Sequence, residues 1–188
     1  MIRSARNALS GLLIAHGDQL DDESLRTLLV EAEAIVNSRP LTYVDTQSPD
    51  SPIPLSPSQI LTLKTKIVMP PPGRFVREDL YCRRRWRRVQ YLANEFWNRW
   101  RSEFLPTLQE RKKWVRSERN IAINDILLLV DANLPRNKWP LARVTETQED
   151  KDGHVRKVKI LTGQSVYERP VHKLILLVNH SLEANDSH

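Results

Sequence analysis

Between Cys82 and Trp100 the chain sets Arg83, Arg84, Arg85, Arg87 and Arg88 at the head of an aromatic and aliphatic stripe, Trp86, Val89, Ala93, Phe96, Trp97 and Trp100, which Phe104 extends. That spacing predicts a helix from Glu78 to about Glu103 with one buried face, and it leaves Arg84 and Arg88, four residues apart, on a face open to solvent. Pro106 is expected to interrupt the helix, which resumes over Leu108 to Trp114. Tryptophans at this spacing are ordinarily core residues rather than platforms for nucleobases. The arginines are harder to assign to stability, because cations crowded at a helix N-terminus repel one another and oppose the helix dipole. Either a phosphate backbone or another polyanion offsets that cost, or the cluster is a solvated face paired locally with Glu78, Asp79 or Glu95. Nothing in the stretch is a catalytic signature.

A length of 188 residues supplies one good core or two to three small units. The net charge of +6 hides an asymmetry, since residues 1–60 carry four Arg and no Lys against eight acids, leaving +10 for the rest. A basic partner surface therefore belongs to the second part. The one cysteine, Cys82, leaves no internal disulfide or multi-cysteine zinc site and suits a reducing compartment. No apolar run is long enough to cross a bilayer, and the start lacks a secretory signal, so the chain reads as soluble and intracellular, with no membrane partner. Its basic amphipathic start runs directly into a second capped helix and is read as structure rather than as a targeting peptide.

Ile2, Ala5, Leu9, Leu12 and Leu13 mark a first helix ending near Gly17. Asp21 has the position of an N-cap for a second, whose seam is Leu25, Leu28, Leu29, Ala32, Ile35 and Val36 and which ends at Asn37-Ser38-Arg39-Pro40. Residues 45–75 are rich in Pro, Ser and Gln and read as a connector, with one short helix begun by Ser56 or Ser58 and a stiff break at Pro70-Pro71-Pro72-Gly73. After Asn120 the periodicity becomes strand-like. Five short strands are expected: one through Ile121-Ala122-Ile123 and Ile126 to Val130, then Trp139–Thr147, Val155–Leu161, Ser165–Arg169 and Leu174–Val178. Turns fall at Asp152-Gly153 and Thr162-Gly163-Gln164, and the pattern suggests a small closed or nearly closed barrel. On the third strand Lys157 and Lys159 alternate with Val158 and Ile160 and share one exposed surface, which Arg143, Arg156, Arg169 and Lys173 extend; the same charges also serve simply to keep a small domain soluble.

Catalytic patterns are absent from the sequence. The five histidines are dispersed, and no metalloprotease helix, phosphate loop or nucleophile elbow occurs. Asp21, Asp22 and Glu23 are explained by helix capping rather than by metal. Glu31 and Glu33, two apart, do not face each other on a helix. No catalytic residue, cofactor or metal ligand is assigned.

The motifs, taken in order, resemble the C-terminal part of the integrase region in Bel/Pao-type long-terminal-repeat retrotransposon polyproteins. Ile2-Arg3-Ser4-Ala5-Arg6-Asn7-Ala8-Leu9, Leu25-Arg26-Thr27-Leu28 and Glu31 through Thr42 look like the last two helices of a ribonuclease-H-like core. Ser56-Pro57-Ser58-Gln59-Ile60-Leu61 resembles the connecting motif, while Arg84 to Gln90 and Phe96 to Trp100 resemble the linker helix. Asn137 to Val144 resembles the Src-homology-3-like terminal barrel, part of the uncharacterised domain that follows the catalytic core. The resemblance implies an α+β chain: a two-helix remnant of the integrase core (1–44), a connector (45–75), basic aromatic linker helices (76–118), a small five-stranded Src-homology-3-like β-barrel (119–179) and a polar tail (180–188).

In that family the catalytic acids and the zinc-binding domain lie upstream of the stretch resembled here. The expectation is therefore a noncatalytic integrase fragment, a truncated element or a reading frame begun at an internal methionine, that binds double-stranded DNA through its backbone. Arg84, Arg87 and Arg88 lead the expected contacts, followed by Lys157 and Lys159, with Arg143 beside them. Complete integrase subunits or a second copy are the expected protein partners, and a nuclear location follows from the resemblance alone. The alternative is a protein-interaction module in which the helical seam of residues 1–37, deprived of its usual sheet, or the barrel binds another subunit or a chromatin protein. A metal-dependent nuclease is the third and least supported class.

Overall fold

The computed structural model describes residues 2–42, 54–64, 69–108, 120–131, 134–163 and 165–178. They form two compact units. The first gathers Met1–Arg39, Ser56–Thr107 and Pro135–Lys138; the second gathers Pro40–Leu55, Leu108–Leu134 and Trp139–His188.

The first unit is helical: α1 (Ile2–His16), α2 (Asp22–Asn37), the short α3 (Pro57–Thr62) and α4 (Arg85–Leu108). The expected caps are in place. Asp21 accepts from the Ser24 N–H at 2.9 Å, so one of the orphan donors of α2 is satisfied. At its other end Ser38 and Arg39 side chains donate to the carbonyls of Ile35 and Val36. Ser56 starts α3 with a capping box in which Gln59 Oε1 accepts from the Ser56 N–H at 2.7 Å, and Pro57 fills the first helical position, where no amide partner is lost.

The apolar seam read from residues 1–37 is buried at Leu12, Leu28, Ala32 and Ile35, joined by Ala8, so it does not lack packing, but Ile2 and Leu29, read as part of it, stand exposed. α4 adds Val89, Leu92, Ala93, Phe96, Trp97, Trp100, Phe104 and Leu105 to the buried set. Trp100 stacks on Phe104 with ring centroids 5.0 Å apart. Polar bonds tie the helices together: Asn7 to Glu103, Gln90 to Glu31, and Arg88 to the Gln19 carbonyl.

Three expectations for α4 need correction. The helix does not begin at Glu78: residues Arg77–Tyr81 form a separate 3-10 turn, and Cys82 is extended before α4 starts at Arg85. Nor does Pro106 interrupt it, for among the described residues the helix runs through that position to Leu108. Trp86 is not core but 50 % exposed. Residues 109–119, where the helix was expected to resume, lie outside the described residues.

The second unit carries β1 (Ile126–Leu129), β2 (Leu141–Glu149), β3 (Val155–Thr162), β4 (Ser165–Pro170) and β5 (Leu174–Val178). All pairs are antiparallel and the order is β4-β3-β2-β1-β5. The expected first strand is shorter than Ile121–Val130, because Ala122 to Asp125 form a turn in which the buried Asp125 carboxylate accepts from the Ala122 N–H. The β2–β3 hairpin closes through Gly153 in the left-handed region (φ 74°), with the Gly153 N–H donating to the Asp150 carbonyl.

The expected Src-homology-3-like barrel is not formed. β4 and β5 are the two free edges of an open sheet. The reason lies in β4. The core of the unit is Leu127, Ala142, Val144, Val155, Val158, Ile160 and Leu174, from the other four strands, and β4 buries none of its residues. Short strands and tight turns suggested closure, but a strand with no inward apolar row has nothing to draw it round onto a partner edge.

No helix among the described residues is long and apolar enough to cross a membrane. No group of three or more His, Cys, Asp or Glu side chains placed to hold a metal ion occurs among them.

Candidate nucleic-acid interface

The break between the 3-10 turn and α4 determines what the arginine cluster can do. In one continuous helix residues 79 and 87 would stand about 12 Å apart along the axis. The break instead brings Arg87 Nε to 2.7 Å from Asp79 Oδ1 and Arg87 Nη2 to 3.1 Å from Oδ2, a two-pronged pair. Asp79 also accepts from the Val76 N–H at 2.9 Å. The Arg87 hydrogen bonds, followed by the Val76 amide, hold the Asp79 carboxyl below its usual range. The same pairing raises Arg87 above its ordinary value. Arg87 completes its contacts on the Arg74 carbonyl and over the Phe75 ring.

Arg88 is equally committed. It donates to the carbonyls of Leu80, Gln19 and Cys82, at 2.8, 2.5 and 3.2 Å. Arg85 pairs with Asp21 at 2.8 Å and Glu23 at 3.0 Å. Only Arg83 and Arg84 in the cluster are exposed with no ion-pair or hydrogen-bonding partner for their side chains among the described residues. Of the three leading arginines expected from the sequence, the structure thus leaves Arg84 open and turns Arg87 and Arg88 inward. Arg83 was missed, and its flanking position outside the helical stripe is the signal that could have found it.

On the sheet, β3 does alternate as expected, with Val158 and Ile160 buried and Lys157 exposed beside the partly exposed Lys159. Both lysines are already paired. Lys159 sits in register between Glu146 on β2 and Glu168 on β4, and its Nζ is 2.7 Å from Glu146. This hydrogen bond raises its pKa. Lys157 lies 3.2 Å from Glu168. Arg156 is held by Asp150 and Asp152, and Arg169 lies over the Tyr167 ring. Arg143, opposite Leu161 in the ladder, is half-buried and engaged within the protein.

Arg136 of the first unit was not foreseen. It is 2 % exposed and donates to the Gln90 carbonyl (3.1 Å), Asn94 Oδ1 (3.1 Å), Glu31 Oε2 (3.2 Å) and Gln90 Oε1. Gln90 in turn donates to the other Glu31 oxygen at 2.8 Å. Burial pushes the guanidinium pKa down, and the Glu31 charge opposes that shift. Glu31 is therefore the counter-ion of a buried cation.

Residues 84–177, half of the chain, match the model of a family described as of unknown function, DUF5641. No curated protein matches the chain, and no solved structure does. The matched span opens at the exposed Arg84, takes in α4 and Arg136, and closes within β5; the chain belongs to the DUF5641 family.

Proposed function

We propose that this chain is the DNA-holding, noncatalytic end of an integrase of the Bel/Pao retrotransposon type, gripping duplex DNA through its phosphates with little selection of sequence. The observation that carries the reading is the contrast within the cluster: Arg85, Arg87 and Arg88 are satisfied inside the first unit, whereas Arg83 and Arg84 project at the start of α4 without partners among the described residues. Two unpaired cations at the positive end of a helix dipole oppose folding. A phosphate backbone offsets that cost and releases counter-ions on binding. The ordered motifs that resemble those of such integrases supply the biological setting of this reading. In a complete integrase this part would position DNA ends and target DNA against a catalytic core from the same or another subunit, which implies a nuclear site of action.

Binding of the full chain to a labelled random-sequence duplex, followed from low to physiological salt, tests the reading. Arg83→Ala with Arg84→Ala should weaken binding and flatten the log–log salt slope by about 1.8, the release expected for two phosphate contacts. A second reading, an assembly module without direct DNA contact, is favoured by Ile14, Leu29 and Val30, which stand exposed on α1 and α2. Absent binding, or binding indifferent to both arginines, would move that reading to first place.

A further inference from the structure

The break that frees Arg83 and Arg84 also puts aromatic rings in solvent beside them. Tyr81 ends the 3-10 turn and is 72 % exposed, and Trp86, the second residue of α4, is 50 % exposed. Trp86 meets the Phe75 ring in a T-shaped contact, with centroids 5.4 Å apart and planes at 80°, while half of its surface stays open. Exposing two large rings costs hydrophobic free energy that the other aromatic residues of α4 recover by burial. Four residues lie between the two rings, so their Cα atoms, five steps apart along the chain, lie within about 18 Å, a span of a few nucleotides. Two rings flanking a pair of unpaired cations are what a flexible polynucleotide with unstacked bases can use, since every base presents a face for stacking and every linkage a phosphate. A duplex hides its base faces and would use the arginines alone.

We propose that Tyr81, Arg83, Arg84 and Trp86 form a site for single-stranded nucleic acid, in which bases stack on the two rings and the guanidinium groups hold the intervening phosphates. The inference rests on the phosphate-binding reading above for its two arginines, and adds the rings as the element that selects single strands.

The test compares the full chain with Tyr81→Leu, Trp86→Ala and the Arg83→Ala, Arg84→Ala pair against a short oligothymidine and a random duplex of equal length. Tyr81→Phe and Trp86→Phe keep a ring and control for folding, with thermal melting alongside. Loss of either ring should weaken oligothymidine binding about ten-fold and leave duplex binding unchanged, the phenylalanine variants should retain most of the affinity, and the arginine pair should weaken both ligands. If the ring variants bind oligothymidine like the parent, or lose both ligands alike, the stacking site is overturned while arginine-dependent duplex binding keeps the backbone reading. If the parent binds neither ligand, both readings fall and the exposed rings become a surface for a protein.

Discussion

A guanidinium taken out of water must find acceptors for its donors, and Arg136 finds them on Gln90, Asn94 and Glu31. Removing it leaves Glu31 and the Gln90 carbonyl short of a partner, so Arg136→Met should cost about 3 kcal/mol in a denaturant titration. Glu31→Gln strands the buried guanidinium without its counter-ion and sets an amide NH2 against a donor, so it should cost a comparable amount. Asp79 offers a pH test. Its carboxyl is held low first by Arg87 and then by the Val76 amide, so the folded state favours the ionised form. Such a group contributes stability above its unfolded pKa, about 3.9, and loses it as pH falls through the folded value. Asp79→Asn should therefore lower the melting temperature at neutral pH, with the gap to the parent narrowing as pH falls below the unfolded carboxylate value and through the lower folded one. The role of Arg136 was not legible from sequence, whereas pairing of the arginine cluster with Asp79 was one of the alternatives the sequence left open. Arg136 lies 105 positions from Glu31, and the Asp79–Arg87 pair exists only because the helix breaks where periodicity alone would continue it.

Among the elements, the row Glu146, Lys159, Glu168 across β2, β3 and β4 decides how much the sheet can contribute to binding a polyanion. A lysine already facing carboxylates gains little from a phosphate. Lys159→Ala should accordingly change duplex affinity less than two-fold, whereas Glu146→Gln with Glu168→Gln should raise affinity at low salt and steepen the salt dependence, by freeing Lys157 and Lys159 together. The alternation that places these side chains was readable, as were most of the helix seams apart from Ile2, Leu29 and Trp86, the Asp21 cap, the short helix begun by Ser56 or Ser58, and β5. Closure of the sheet was not. Strand count and turns are local signals, while closing an edge depends on whether β4 carries an inward row, and Val166 and Tyr167 instead lie exposed. For the same reason Trp86 was misplaced: spacing assigns it to the stripe, but the residues able to cover a first-turn side chain come from the segment before the helix.

Among the described residues, the charge asymmetry read from composition translates only in part into open basic surface: Arg74, Arg77, Lys138, Lys151 and Lys173 are exposed, while other cations are paired. Many of the cations in the positive part are consumed by internal partners, Arg85, Arg87, Arg88, Arg136, Lys157 and Lys159 among them. The response to salt should therefore be shallower than ten open charges would give, with Arg83 and Arg84 giving a larger decrement in an alanine series than the paired Arg85, Arg87, Arg88, Lys157 and Lys159. The first unit also draws on three separate stretches of sequence, the last being Pro135–Lys138. During synthesis, then, the helices leave the ribosome with the acceptors of Gln90, Asn94 and Glu31 still waiting, and their final partner is translated only after β1 has been made. The N-terminal unit is thus not finished first, and a nascent chain stalled after Leu134 should show it as protease-sensitive until four more residues have emerged.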